Sequence, residues 1–188
     1  TAIRESVEYA KCIGDAAYFT DTYCQIDEPQ GADRSVIPFR LWAAQVQLLW
    51  TLLIEKRVII LKARQLGISW LLCAYALALC LFQRGRVVLA FSRGQSEADE
   101  LIRRVRVMHE RLPGWLKAIS AKLIKPNTSD LEWSNGSRME SFPATKGAGR
   151  SLTASLLIMD EFAWMQFATE VYTAAKPTVD NGGQLVIL

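Results

Sequence analysis

The sequence predicts an α/β fold with a largely parallel sheet, on three observations. Short apolar runs, Val58-Ile59-Ile60-Leu61, Arg86-Val87-Val88-Leu89-Ala90-Phe91 and Ala154 to Met159, alternate with stretches of helical periodicity. The first run passes through a polar, glycine-containing loop straight into a long apolar helix. The third closes on two adjacent carboxylates, Asp160-Glu161. Strand, loop, helix, strand in this order implies right-handed crossovers and helices packed over the sheet.

The elements follow in order. Arg4 to Tyr23 carries apolar positions at helical spacing, Asp27-Glu28-Pro29-Gln30-Gly31 reads as a loop, and Leu41 to Ile54 reads as a second helix. Residues 1–56 thus form a helical preface to a core spanning 57–188. Within the core, Val58 to Leu61 is a strand, and Ser69 to Gln83 is a helix apolar enough to be buried all round. Arg86 to Phe91 is a second strand, and Ser96 to Leu112 an amphipathic helix stopped by Pro113-Gly114. Asp130 to Trp133 and Arg138 to Phe142 flank Ser134-Asn135-Gly136-Ser137, whose Asn-Gly pair signals a hairpin turn. Ala154 to Met159 and Gln184 to Leu188 complete the strands.

A chain of 188 residues, 51% hydrophobic and 22% charged, is long enough for one domain with a substantial core. The net charge of +3 is mild, with basic and acidic residues interspersed, so it neither demonstrates nor excludes a nucleic-acid partner. Cys12, Cys24, Cys73 and Cys80 show no C-x-x-C spacing, which reads as a reduced, cytosolic protein. The longest uncharged apolar run, Trp70 to Phe82, is 13 residues. A bilayer needs about 20, so no membrane partner is expected.

The chemistry concentrates in Lys62-Ala63-Arg64-Gln65-Leu66-Gly67-Ile68-Ser69. A phosphate-binding loop reads G-x-x-x-x-G-K-[ST]: backbone N–H groups wrap the phosphates, the lysine reaches the β/γ oxygens and the hydroxyl holds Mg²⁺. Gly67 and Ser69 match, Lys62 stands in place of the first glycine, and Ile68 replaces the lysine. The positive charge must therefore come from elsewhere, with Lys62 the first candidate and Arg64 the second. Ligands of parallel sheets bind at the carboxyl ends of strands, where both this loop and Asp160-Glu161 sit. There Asp160 would orient the hydration shell of Mg²⁺ and Glu161 would polarise an attacking water.

On these residues the chain resembles the ATPase domain of the large terminase subunit, which packages DNA into tailed-bacteriophage heads. The resemblance spans most of the chain and implies a P-loop NTPase fold of the additional-strand type. Arg64-Gln65-Leu66-Gly67 matches the family's Arg-Gln-x-Gly loop, and Asn135-Gly136-Ser137 matches its hairpin. The resemblance further implies that Gln45 reads the adenine edge and that Arg150, ten positions before Asp160, is an arginine finger acting in a neighbouring subunit. By the same route ATP is held by Gln45 and by Lys62, Arg64, Gln65, Leu66, Gly67, Ile68 and Ser69, and Mg²⁺ by Ser69 and Asp160. The implied partners are double-stranded DNA, further copies of the chain in a ring, the small terminase subunit and the portal protein, in the cytoplasm of a bacterial host. A C-terminal nuclease in the whole protein is also implied.

Each residue has a plainer reading. Lys62 is also a solvated lysine after a strand, Gln45 an exposed polar position, and Arg150 part of a flexible basic loop equally able to hold a DNA phosphate. His109 reads as a surface residue, and Trp42, Trp50 and Trp70 as core. Two other functions remain open at this point: a helicase or translocase outside viral packaging, and a nucleotide- or DNA-docking module that lost catalysis with Ile68.

Overall fold

A computed structural model describes residues 2–28, 35–146 and 153–188. Its centre is a seven-stranded sheet in the order β3-β9-β8-β4-β7-β6-β5. The strands are β3 (Arg57–Ile59), β4 (Val87–Ser92), β5 (Leu123–Pro126), β6 (Asp130–Trp133), β7 (Arg138–Pro143), β8 (Leu156–Met159) and β9 (Gln184–Ile187). Neighbours from β3 through β7 are parallel, and β6 and β5 extend the sheet as antiparallel ribbons. Because β9 lies between the loop-bearing β3 and the acid-tipped β8, the sheet has the additional-strand arrangement that the family resemblance implies.

The expected first helix is two, α1 (Ala2–Gly14) and α2 (Ala16–Tyr23). Asp15 divides them: its Oδ1 accepts from the N–H groups of Ala17 (2.8 Å) and Tyr18 (3.0 Å), which caps the second helix. After α2 a short ribbon, β1 (Gln25–Asp27) paired antiparallel with β2 (Val36–Pro38), borders the region read as loop. Asp27 anchors it to α5 (Gln95–Glu110) and the residue beyond, accepting from Arg103 (2.8 Å) and Arg111 (2.7 Å).

Helix α4 (Ile68–Phe82) explains why so apolar a segment is stable in water. It lies in one core that takes in α3 (Ala43–Ile54), the N-terminal helices, α5 and one face of the sheet. A helix apolar on all sides has to be enclosed on all sides. The opposite face of β8 and β4 is covered by α7 (Ala168–Ala175) and the 3-10 turn Lys176–Val179, around Leu89, Phe91, Leu157, Met159 and Val171. A short helix, α6 (Gly114–Ile119), joins the core of α4 through Leu116.

Two expectations are corrected. His109 is 7% exposed, not a surface residue: it continues the stripe Ala98, Leu101, Ile102, Val105 and Met108 on α5 and meets the ring of Trp133 edge-on. Trp42 and Trp50, read as core, are 60% and 57% exposed. The four cysteines are free and buried, as small hydrophobes. Among the described residues, no helix is long and apolar enough to cross a membrane.

Candidate active site

The loop between β3 and α4 reverses direction with two left-handed residues, Gln65 (φ 63°) and Gly67 (φ 68°). Gly67 is the N-cap of α4 and supplies no side chain, while its carbonyl accepts from Leu71 (2.9 Å) to open the first turn. The leading N–H groups of a helix have no partner within it, and they carry its positive dipole end, a natural seat for phosphate. Any larger residue at Gly67 meets both the positive φ and a neighbour, since a Cβ there would lie 3.1 Å from Gln45 Nε2.

Gln45 is buried, and both ends of its amide are engaged. Nε2 donates to the carbonyl of Leu66 (3.0 Å), and Oε1 accepts from the N–H of Trp42 (3.1 Å). The residue matched to adenine reading thus braces the phosphate loop from behind. Lys62 is half-buried at the start of the loop. The guanidinium of Arg64 lies over the ring of Trp164, 5.8 Å from its centroid, tying the loop to the turn that follows Glu161.

The two motifs meet. Ser69 Oγ donates to Asp160 Oδ1 at 3.0 Å, across 91 positions of sequence. Asp160 is 6% exposed at the tip of β8, its N–H donating to Phe91 O (2.8 Å), so strand pairing fixes the carboxylate in place. Glu161 follows with a left-handed backbone (φ 56°), which turns its side chain out of strand alternation. A hydroxyl beside a buried carboxylate is an oxygen donor set suited to Mg²⁺ carried by a nucleotide. No cluster of three or more His, Cys, Asp or Glu side chains able to hold a metal occurs among the described residues.

Two residues that the sequence reading passed over belong to this site. Ser92 closes β4 and Arg93 follows it, so both lie at a carboxyl end of the same sheet. The rule that singled out Lys62 and Asp160 finds them as well. Arg93 donates from Nε to Glu97 Oε1 (2.8 Å), with Nη2 2.6 Å from the same oxygen, and its Nε lies 3.2 Å from Glu161 Oε2. A cavity of about 260 Å³ opens beside these groups, lined by Ser69, Ser92, Glu97, Arg104, Asp160 and Glu161 among others. Arg150 lies outside the described residues.

A parallel sheet with an inserted strand, a glycine-turned loop feeding a helix N-terminus and an acidic strand end against it define a P-loop NTPase fold. The family described as terminase large subunit, T4-like virus type, N-terminal, matches residues 59–187, and the chain belongs to it. The large terminase of bacteriophage HK97 has the same fold (TM-score 0.70, 17% identity), over 93% of this chain and 36% of that one. The ATPase domain of the Thermus phage P74-26 large terminase superposes over 79% of this chain and 64% of that one (TM-score 0.59, 19% identity). The large terminase of a thermophilic bacteriophage, solved in complex with ADP, gives a TM-score of 0.57 at 13% identity, over 77% of this chain and 37% of that one. The chain thus spans little more than a third of the full-length terminases it matches, and it covers 64% of the isolated ATPase domain.

Proposed function

We propose that this chain is the ATPase part of a DNA-packaging motor, binding Mg-ATP and hydrolysing it to drive double-stranded DNA into a procapsid. The observation that carries the reading is the Ser69–Asp160 hydrogen bond, which places the phosphate loop and the acidic strand end at one point. Membership of the terminase family and the ADP complex of the thermophilic phage protein support it.

Each residue takes a definite task. The backbone from Gln65 to Ser69 wraps the phosphates at the N-terminus of α4, with Leu66 and Ile68 contributing main-chain groups only. Lys62 supplies the positive charge that the usual loop lysine would give, with Arg64 second. Gln45 holds the loop and reaches adenine only by giving up one of its two internal bonds. Ser69 and Asp160 hold Mg²⁺, which when bound neutralises charge on the phosphate oxygens. Glu161 takes a proton from the attacking water. Arg150 acts in a neighbouring copy, so the working form is a ring, and double-stranded DNA, the small terminase subunit and the portal protein are its partners in the bacterial cytoplasm. The whole protein then also carries a nuclease domain, and residues 1–56 serve as the adenine-side preface to the core.

Glu161→Ala tests the hydrolytic half. Mg-ATP affinity should stay within about threefold of wild type while turnover falls by a factor of order 10² or more. Wild-type turnover in that variant would remove Glu161 from the mechanism.

A further inference from the structure

Ser92 is 1% exposed, and its Oγ has no hydrogen-bonding partner in the protein. Burying a hydroxyl without a partner is costly, and alanine or valine would complete the tip of β4 without that penalty. The hydroxyl does not face closed core, because Ser92 lines the 260 Å³ cavity together with Ser69, Asp160 and Glu161. A space of that size holds several water molecules. Glu161 Oε2 is a second enclosed oxygen in the same cavity: it is ion-paired with Arg93, whose Nε lies 3.2 Å away, but it accepts no hydrogen bond, since that N–H points to Glu97. Strand register brings the two oxygens to adjacent strand ends: Phe91 pairs with Met159, and the N–H of Asp160 donates to Phe91 O.

We propose that Ser92 is a further catalytic residue, whose hydroxyl seats the attacking water together with Glu161. This rests on the ATPase reading above. Water donates one O–H to Ser92 Oγ and the other to the Glu161 carboxylate, so its lone pair is directed away from both, toward the phosphate loop. In the step itself a bond forms from the water oxygen to the terminal phosphorus, and the bond from that phosphorus to the β,γ-bridging oxygen breaks. The proton passes to Glu161, ADP leaves with the bridging electron pair, and the Ser92 hydroxyl is unchanged. Ser92 acts by orientation alone, which is where most of the protein's contribution to phosphoryl transfer lies. The cost of the unpaired hydroxyl is thereby explained as a functional cost.

The test compares wild type, Ser92→Ala, Ser92→Thr and Glu161→Ala in this chain by phosphate release, Mg-ATP binding and thermal melting. Ser92→Ala should lower kcat by roughly ten- to a hundredfold, leave KM and Mg-ATP affinity within about twofold, and melt no lower than wild type. Ser92→Thr, which keeps the hydroxyl, should recover most of the lost kcat. A structural serine gives the opposite pattern, with stability lost and activity falling in proportion. Either that pattern or turnover of Ser92→Ala within about twofold of wild type overturns the proposal. Glu161→Ala separates the layers: if it is inactive while Ser92→Ala is normal, only the role of Ser92 falls. If Glu161→Ala turns over normally, or wild type releases no phosphate, the ATPase reading falls and the role of Ser92 with it.

Discussion

Single residues carry this site by being fixed in place. Asp160 is held by strand pairing, Gln45 commits both ends of its amide to the loop and its own helix start, and Glu161 leaves the strand through a left-handed backbone. Residue chemistry also sets an acid limit on the fold. Burial between α5 and the sheet pushes the His109 imidazole down from 6.5 to about 4, with Lys117 nearby adding to the effect. Such a group contributes its full stability above the unfolded value near 6.5 and loses it as pH falls toward 4, because only the unfolded chain accepts the proton readily. Glu8, held down to about 2 by hydrogen bonds from Lys11, Tyr18 and Tyr23, adds a loss of the same sign that begins near its ordinary value of 4.5, at the acid end of that window. Melting temperature should therefore fall between pH 6.5 and 4, by an amount matching roughly 1–3 kcal/mol, and His109→Leu should flatten the slope. Equal slopes in both proteins would contradict the assignment. At this scale the sequence showed Lys62, Gly67, Ser69 and Asp160, because the loop and the acidic strand end are local patterns. Ser92 and Arg93 also sit at a strand's carboxyl end, but no residue motif marks them, and they matter through what the neighbouring strands place beside them. The burial of His109 was legible, since it falls in register with the stripe from Ala98 to Met108.

Elements are locked together by polar side chains at their ends. Asn135 does more than turn the β6–β7 hairpin: its Nδ2 donates to the carbonyls of Cys80 (2.8 Å) and Gln83 (2.9 Å), and Ser137 Oγ also donates to Gln83 (2.7 Å). The hairpin thus caps the C-terminus of α4 and fixes the far end of the helix whose near end faces the site. Gln184 does the same for α3, donating to the carbonyls of Leu52 and Glu55 (2.6 Å each) while accepting from Tyr75 (3.0 Å). Asn135→Ala should cost about 1–3 kcal/mol in urea unfolding, against a few tenths for Asn127→Ala, whose side chain bonds only to Asp130 at the surface. Equal effects would mean the cap carries no weight. The Asn-Gly pair predicted the hairpin but not its docking, which depends on where α4 ends in space. Periodicity likewise reads α1 and α2 as one helix, because their apolar spacing is continuous and only the N-cap geometry of Asp15 divides them. The edge strand β5 and helices α6 and α7 are too short to leave a clear period.

At the scale of the whole molecule, the sheet order explains why the site lies where it does. With β9 inserted between them, the loop-bearing β3 and the acid-tipped β8 present their carboxyl ends around one opening, and α4 leaves from its rim. The alternation of strands and helices predicted a parallel sheet, the resemblance implied the inserted strand, and the family match over residues 59–187 places the chain among terminases rather than helicases outside viral packaging. If Arg150 completes the site of a neighbouring copy, turnover per chain should rise with concentration. Constant specific turnover over about a thousandfold range would place catalysis within one copy. The central claim is that the loop from Lys62 to Ser69 binds Mg-ATP with its lysine moved to the first position. Equilibrium binding of Mg-ATP to wild type and to Lys62→Ala addresses it without requiring a ring or turnover. Wild type should bind, and the variant should bind at least tenfold more weakly, about 1.4 kcal/mol. Equal affinities would contradict the relocated lysine, and no binding by wild type would contradict the nucleotide site itself.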